Sequence, residues 1–194
     1  MAGPVRAGET TALNGVLAID GQAVGGAPVV LQSREVLPQG GRVTPVWVDE
    51  TSTTTAVDGS FKFRGIKPKA TTDFRVAFPG DGQHAPTVSP VTRLKVRAVV
   101  DLARTPHKVG RKDHLVLRGK LSAGQPGTTV LVRLDARGKR HDKVVRATVD
   151  ASGKWKAVTR APAKTGRMKV VAVWKGDGVT LGDRSRTRSV RVVR

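Results

Sequence analysis

Four histidines, 15 carboxylates and 35 lysines and arginines are the side chains of this 194-residue chain that could do chemistry. His84, His107, His114 and His141 stand far apart in probable turn and strand-edge positions, with none paired at metal-ligand spacing. Catalysis by histidine needs a partner within hydrogen-bond reach, and no such pairing is spelled out. No Gly-x-Ser-x-Gly occurs to hold a serine nucleophile. The run Gly21-Gln22-Ala23-Val24-Gly25-Gly26 is glycine-rich, but no Lys-Ser/Thr follows it and no helix begins there, so it is not a phosphate loop. Cysteine is absent, which removes disulfides, thiolate nucleophiles and thiolate metal ligands together. Asp81 and Asp177, with Asp20, Asp58 and Asp49-Glu50, invite a calcium reading. Calcium takes six to eight oxygens from clustered carboxylates. Here single aspartates precede glycine, and turn formation accounts for them. The residues predict no catalytic group, no metal and no cofactor; the chain reads as a non-enzyme.

Charge is the stronger feature. Residues 1–97 carry 11 Lys/Arg against 8 Asp/Glu, whereas residues 98–194 carry 24 against 7, so +17 of the net +20 lies in the second half. Solubility and protection of strand edges use some of this charge. A field of this size also recruits polyanions or acidic proteins. The residues singled out for partner binding are Arg137, Lys139, Arg140 and Lys143 in a basic loop, Arg184, Arg186 and Arg188 with Arg191 and Arg194 along the last strand, and Lys108, Arg111 and Lys112 in the first loop. Arg186, Arg188, Val190 and Val192 share one strand parity and Arg191 the other, which predicts a broad basic band in place of a pocket. The aromatics of this half, Trp155 and Trp174, fall on core positions, so no base-stacking platform is expected. Any nucleic-acid binding would be non-specific and salt-sensitive.

The elements that must position these side chains are short strands. Val- and Thr-rich segments are punctuated by Gly, Pro and Asp every eight to twelve residues, the pattern of an antiparallel sandwich. Strands are expected near 11–19, 27–33, 43–49, 52–57, 60–64, 72–78 and 90–97, then near 98–103, 113–121, 128–135, 143–149, 154–158, 167–174 and 185–193. The pattern also repeats. Phe74-Arg75-Val76-Ala77-Phe78-Pro79-Gly80-Asp81-Gly82 is answered by Val170-Val171-Ala172-Val173-Trp174-Lys175-Gly176-Asp177-Gly178, and Ser89 falls on Ser185 at the same offset. Asp58-Gly59 corresponds to Ser152-Gly153, and Gly15 to Gly119. The offset is longer for the glycine pair, which places an insertion in the first repeat, most simply a hairpin over 34–47. A repeat of this period implies two similar domains, 1–97 and 98–194. Their junction, Leu94 to Leu102, has no Gly, Pro or Ser, so a semi-rigid end-to-end pair is expected.

Gly15-Val16-Leu17, Gly26-Ala27-Pro28-Val29-Val30-Leu31, Thr55-Ala56-Val57-Asp58-Gly59-Ser60-Phe61-Lys62-Phe63, the Phe-Pro-Gly-Asp turn and the Ser-bearing closing strand resemble bacterial immunoglobulin-like domains. More narrowly they are similar to the repeats of actinobacterial surface proteins and of accessory domains in tailed-phage virions. Asp150-Ala151-Ser152-Gly153-Lys154-Trp155 and Trp174-Lys175-Gly176-Asp177 carry the pattern into the second half. Family members commonly place Tyr at Phe74 or Val170; this chain has no Tyr and so no tyrosine corner. The resemblance implies an all-β chain of two tandem immunoglobulin-like antiparallel β-sandwiches and a role in structure or attachment. Codon-linked usage, with abundant Val, Ala, Gly and Arg, points to an actinobacterium or its phage.

The N-terminal residues Met1 to Arg6 lack a basic start followed by an apolar stretch, so they read as no secretory signal: either the chain is made without a leader, in the cytoplasm, or a leader has been cut away. No apolar run approaches the ~20 residues of a spanning helix, so membrane insertion is not expected. The leading expectation is a phage virion accessory protein, a capsid decoration or tail component, docking by its basic half on an acidic protein lattice, with self-assembly into a homo-oligomer compatible. The alternative is a secreted or cell-surface adhesion module that binds anionic wall polymers or glycans. A non-specific nucleic-acid binder comes third.

Overall fold

The computed structural model describes residues 3–37, 42–136 and 143–194. The described chain is all-β, without a helix, and divides into two compact units, Met1–Val96 and Arg97–Arg194.

Unit one contains β1 (Thr11–Val16), β2 (Pro28–Glu35), β3 (Val48–Thr54), β4 (Ser60–Ile66), β5 (Thr72–Phe78) and β6 (Thr92–Leu94). One antiparallel sheet runs β6-β5-β2-β3; β1 pairs antiparallel with β4 in the other. The inner faces meet in a core of Val29, Leu31, Phe63, Phe74, Phe78 and Leu94. The expected pair of strands at 43–49 and 52–57 is one strand, β3. Its Val-Asp-Glu-Thr-Ser-Thr-Thr run is exposed along nearly its whole length, so an edge strand shows none of the alternation that a buried face imposes. Residues 38–41, the tip of the expected 34–47 insertion, lie outside the described residues. The flanks are laddered: Leu37 donates to Arg42 O at 2.6 Å and Thr44 donates to Glu35 O at 3.0 Å.

Unit two contains β7 (Val99–Leu102), β8 (Lys108–Gly110), β9 (His114–Ser122), β10 (Thr129–Ala136), β11 (Lys143–Thr148), β12 (Lys154–Arg160), β13 (Gly166–Gly176), β14 (Thr180–Arg184) and β15 (Arg188–Val193). One sheet is β7-β9-β12. The other runs β15-β13-β10-β11, with β8 parallel to β15 and β14 antiparallel to β13. The chain thus crosses repeatedly between two facing antiparallel sheets, β7, β9 and β12 forming one and the strands between and after them the other, the arrangement of an immunoglobulin-like sandwich. Leu115, Leu117, Val130, Val132, Trp155, Met168, Val170 and Trp174 fill the space between them. Strands β8 and β14 were not expected. Each is short, and its pairing is set by a strand distant in sequence or by a turn.

The repeated residues do the same work in both units. Ser89 Oγ accepts Val76 N–H at 2.9 Å and donates to Pro90 O, while Ser185 Oγ accepts Ala172 N–H at 3.0 Å and donates to Arg186 O. Asp81 Oδ1 accepts the backbone N–H of Gln83 and His84; Asp177 Oδ1 accepts those of Val179 and Thr180. Gly15 stands opposite Phe61 and Gly119 opposite Trp155, and a methyl group at either glycine would collide with the ring. A strand glycine of this kind admits a large aromatic across the ladder.

Candidate anion-binding surface

In unit two the alternation that buries one strand face exposes a cationic one. On β9, Leu115, Leu117 and Leu121 point inward, leaving His114, Val116, Arg118 and Lys120 outside. On β12, Trp155, Ala157 and Thr159 are inward and Lys154, Lys156, Val158 and Arg160 outside. Antiparallel register then sets like against like: Lys120 faces Lys154 and Arg118 faces Lys156. Directly opposed like charges destabilise a sheet, so the fold tolerates this face at a cost. On the other sheet, Lys108 faces Arg191 and Arg191 faces Arg167, a cationic row across β8, β15 and β13.

No ion pair within 4 Å joins these cations to a carboxylate among the described residues. The ion pairs described all lie in unit one: Arg6–Glu9, Arg34–Asp73, His84–Asp81 and Arg93–Asp73. Unit two spends carboxylates on its backbone. Asp150 Oδ1 accepts the N–H of Ser152 at 2.8 Å, the N–H of Lys154 at 3.0 Å and the hydroxyl of Ser152 at 2.7 Å. These bonds, the Ser152 hydroxyl first, hold its carboxyl below the ordinary aspartate range. Asp183 Oδ2 accepts Val100 N–H at 3.3 Å.

Unit one has the opposite arrangement. Asp73, 1% exposed, sits on the outer face of β5 beneath two guanidiniums: Arg93 Nε donates to Oδ1 at 2.7 Å and Arg34 Nη2 to Oδ2 at 3.2 Å. Arg93 is the largest cause holding the Asp73 carboxyl below its usual value. Beside it, the Cζ atoms of Arg34 and Arg75 lie 4.5 and 4.3 Å from the Trp47 ring centre, and Arg75 Nε donates to Gln32 Oε1 at 2.7 Å. In unit one Arg34, Arg75 and Arg93 are thus neutralised or stacked, whereas the cross-strand cations of β9 and β12 meet no described carboxylate within 4 Å.

The expected site residues distribute as follows. Arg137, Lys139 and Arg140 lie outside the described residues. Lys143 opens β11 and is exposed. Lys108 lies in β8, not in a loop, while Arg111 and Lys112 form the exposed turn after it. Arg184 ends β14, Arg186 precedes β15 and Arg188 begins it, all exposed. Val190 and Val192 are buried, so the parity they share with Arg188 is the core face, and the cationic face of β15 carries Arg191. Arg118, Lys120, Lys154, Lys156 and Arg167 were not among the expected residues. The alternation Lys-Trp-Lys-Ala-Val-Thr-Arg was readable, but which cations would face each other depends on register.

An immunoglobulin-like sandwich with like-charged cationic rows across its sheets is the class of protein that fold and surface define. No protein family and no curated protein matches the chain. Among solved structures it is similar to an ICAM-5 D1–D4 ectodomain fragment, at 14% identity and a TM-score of 0.44, covering 100% of this chain and 52% of that one. The chain therefore spans about half the length of that structure, and the immunoglobulin-like assignment rests on strand order.

Proposed function

We propose that this chain is a non-enzymatic attachment protein whose second unit docks on an anionic partner. The observation that supports the reading is the set of like-charged cross-strand rows, Lys120–Lys154, Arg118–Lys156 and Lys108–Arg191–Arg167, none of which forms an ion pair within 4 Å with a described carboxylate. Sheet faces that carry an electrostatic cost in the free protein gain most when a partner supplies the missing charge. In the first setting the chain is a tailed-phage virion accessory of capsid or tail, held on an acidic lattice by its second unit. In the second it is a secreted or cell-surface module on anionic wall polymers; the straight rows of cations along β9 and β12 favour that setting.

Co-sedimentation separates them. The full chain is mixed with purified virions or purified actinobacterial cell walls, from low salt to about 1 M. A variant with Arg137, Lys139, Arg140 and Lys143 changed to Glu is run beside it. Salt-reversible retention on virions, reduced in the variant, supports the first setting, and retention on walls the second. Absence of retention on both overturns the docking reading.

A further inference from the structure

Strand β3 ends its sheet, and among the described residues no further strand pairs with its outer edge. Thr55 N–H donates to Ala27 O at 2.9 Å and Thr55 O accepts Gly26 N–H at 3.0 Å, both toward the β2 side. Direction alternates along a strand, so Thr53 and Thr51 also turn their backbone groups to β2, opposite Val29 and Leu31. Ser52 and Thr54 then turn N–H and C=O to the open edge. Glu50 is the extra residue of a bulge opposite Leu31 and Gln32, which leaves Thr51–Thr54 as the regular part of that edge. Open edges are ordinarily guarded by lysine, proline, charge or a bulge. In unit two the strand at the same place, β11, carries exposed Lys143 and Arg146. From Val48 to Val57 there is no lysine, arginine or proline, and the bulge and its two acids lie at one end.

We propose that this edge pairs with the same edge of a second copy, antiparallel about a two-fold axis at Thr53. Two features select a copy of this chain as the occupant. The register closes on itself: Ser52 and Thr54, the outward residues, face each other across the axis and exchange both hydrogen bonds, while Thr53 faces its own counterpart. Hydroxyl side chains then meet hydroxyl side chains, a favourable cross-strand pairing. Glu50 and Asp49 fall opposite Ala56 and Val57, never opposite each other. Charge points the same way. Residues 1–97 hold +3 of the net +20, so copies joined there meet through their nearly neutral unit. The pairing does not depend on the anion-docking reading; it would give each assembly two cationic units in place of one.

The test is sedimentation equilibrium of the full chain from about 10 µM to about 1 mM, the range suited to a small contact. A monomer–dimer equilibrium is expected, and raising salt from about 0.15 to about 0.5 M should strengthen it by screening the charge of the two copies. Ser52→Lys with Thr54→Lys, both exposed, sets like charges across the axis and should weaken dimerisation about tenfold without altering the melting transition. The chain has no cysteine, so a single introduced one reports its own neighbour. Across a non-hydrogen-bonded pair the Cα atoms stand about 4.5 Å apart, within disulfide reach. Thr53→Cys should therefore oxidise to a covalent dimer faster than Val57→Cys, a control at a residue 94% exposed beyond the strand. Monomer at every concentration, or a dimer that the two lysines leave unchanged, overturns the proposal. A dimer that dissolves as salt rises is held by ion pairs between copies and overturns it too. Growth beyond the dimer indicates a head-to-tail contact, and equal oxidation of the two cysteine variants removes the axis from Thr53. The lysine variant is also run on virions and walls: loss of retention by a chain that stays monomeric gives the edge to a strand of the partner and excludes the second copy.

Discussion

Relieving the charge conflict on the β9–β12 face should stabilise the protein while weakening its grip on anions. The perturbation is the double change Lys154→Gln and Lys156→Gln. Both side chains are exposed and neither makes a described side-chain hydrogen bond, so no packing is lost. Each removes one member of a directly opposed pair, with Lys120 and Arg118 respectively. A cross-strand pair of this kind contributes about 0.2–1 kcal/mol, so two relieved rows sum to about 1 kcal/mol, with Coulomb's law in water giving the same order for charges ~5 Å apart. For a unit of this size 1 kcal/mol moves the melting midpoint by about 4–8 °C. Scanning calorimetry of the full chain at low salt should show one transition raised by that amount and the other unmoved. The gain should shrink at 1 M salt, where the screening length falls to about 3 Å. A variant that is no more stable at low salt, or whose gain persists at high salt, would refute the claim that these rows are electrostatically strained.

Two further outcomes test the cores. Trp174→Ala should destabilise unit two by about 3–5 kcal/mol, because the ring is 3% exposed within the larger core. At about 1–3 kcal/mol per molar urea the midpoint then falls by about 1 M or more, and a shift below half of that places the indole outside the core. Asp73→Asn should cost unit one about 1.5–3 kcal/mol, the range for a hydrogen bond to a charged group, since Arg93 stays partly hydrated when unpaired. The Asp73 carboxyl is depressed below 3.8 by Arg93 and then Arg34, so its contribution is complete above that pH and is lost as pH falls through the folded value. The Asn variant should show a flatter loss of unit-one stability below about pH 4; parallel acid limbs for both proteins would exclude this carboxylate.

Much of this architecture was legible locally. Period-two alternation in Lys154–Arg160 announces a half-buried strand, glycine with aspartate or serine announces the turns, and the repeat aligns Gly15 with Gly119 and Ser89 with Ser185 in the sequence itself. These features act through neighbours in the chain or within one ladder. Less legible were β3, whose exposed edge carries no alternation, and β8, three residues whose partner Arg191–Val193 lies some eighty positions away.

The site divides along the same line. The sequence alone determined that the second half is strongly basic, that its tryptophans belong to the core, and that no catalytic constellation is spelled out, because charge, apolar pattern and residue type are properties of the chain itself. Only tertiary structure decided which cations oppose one another, that Asp73 is buried under two arginines, and that Arg146 and Lys156 border one hollow. Those depend on register and on the meeting of two sheet edges, distances set by packing between segments that the sequence lists far apart.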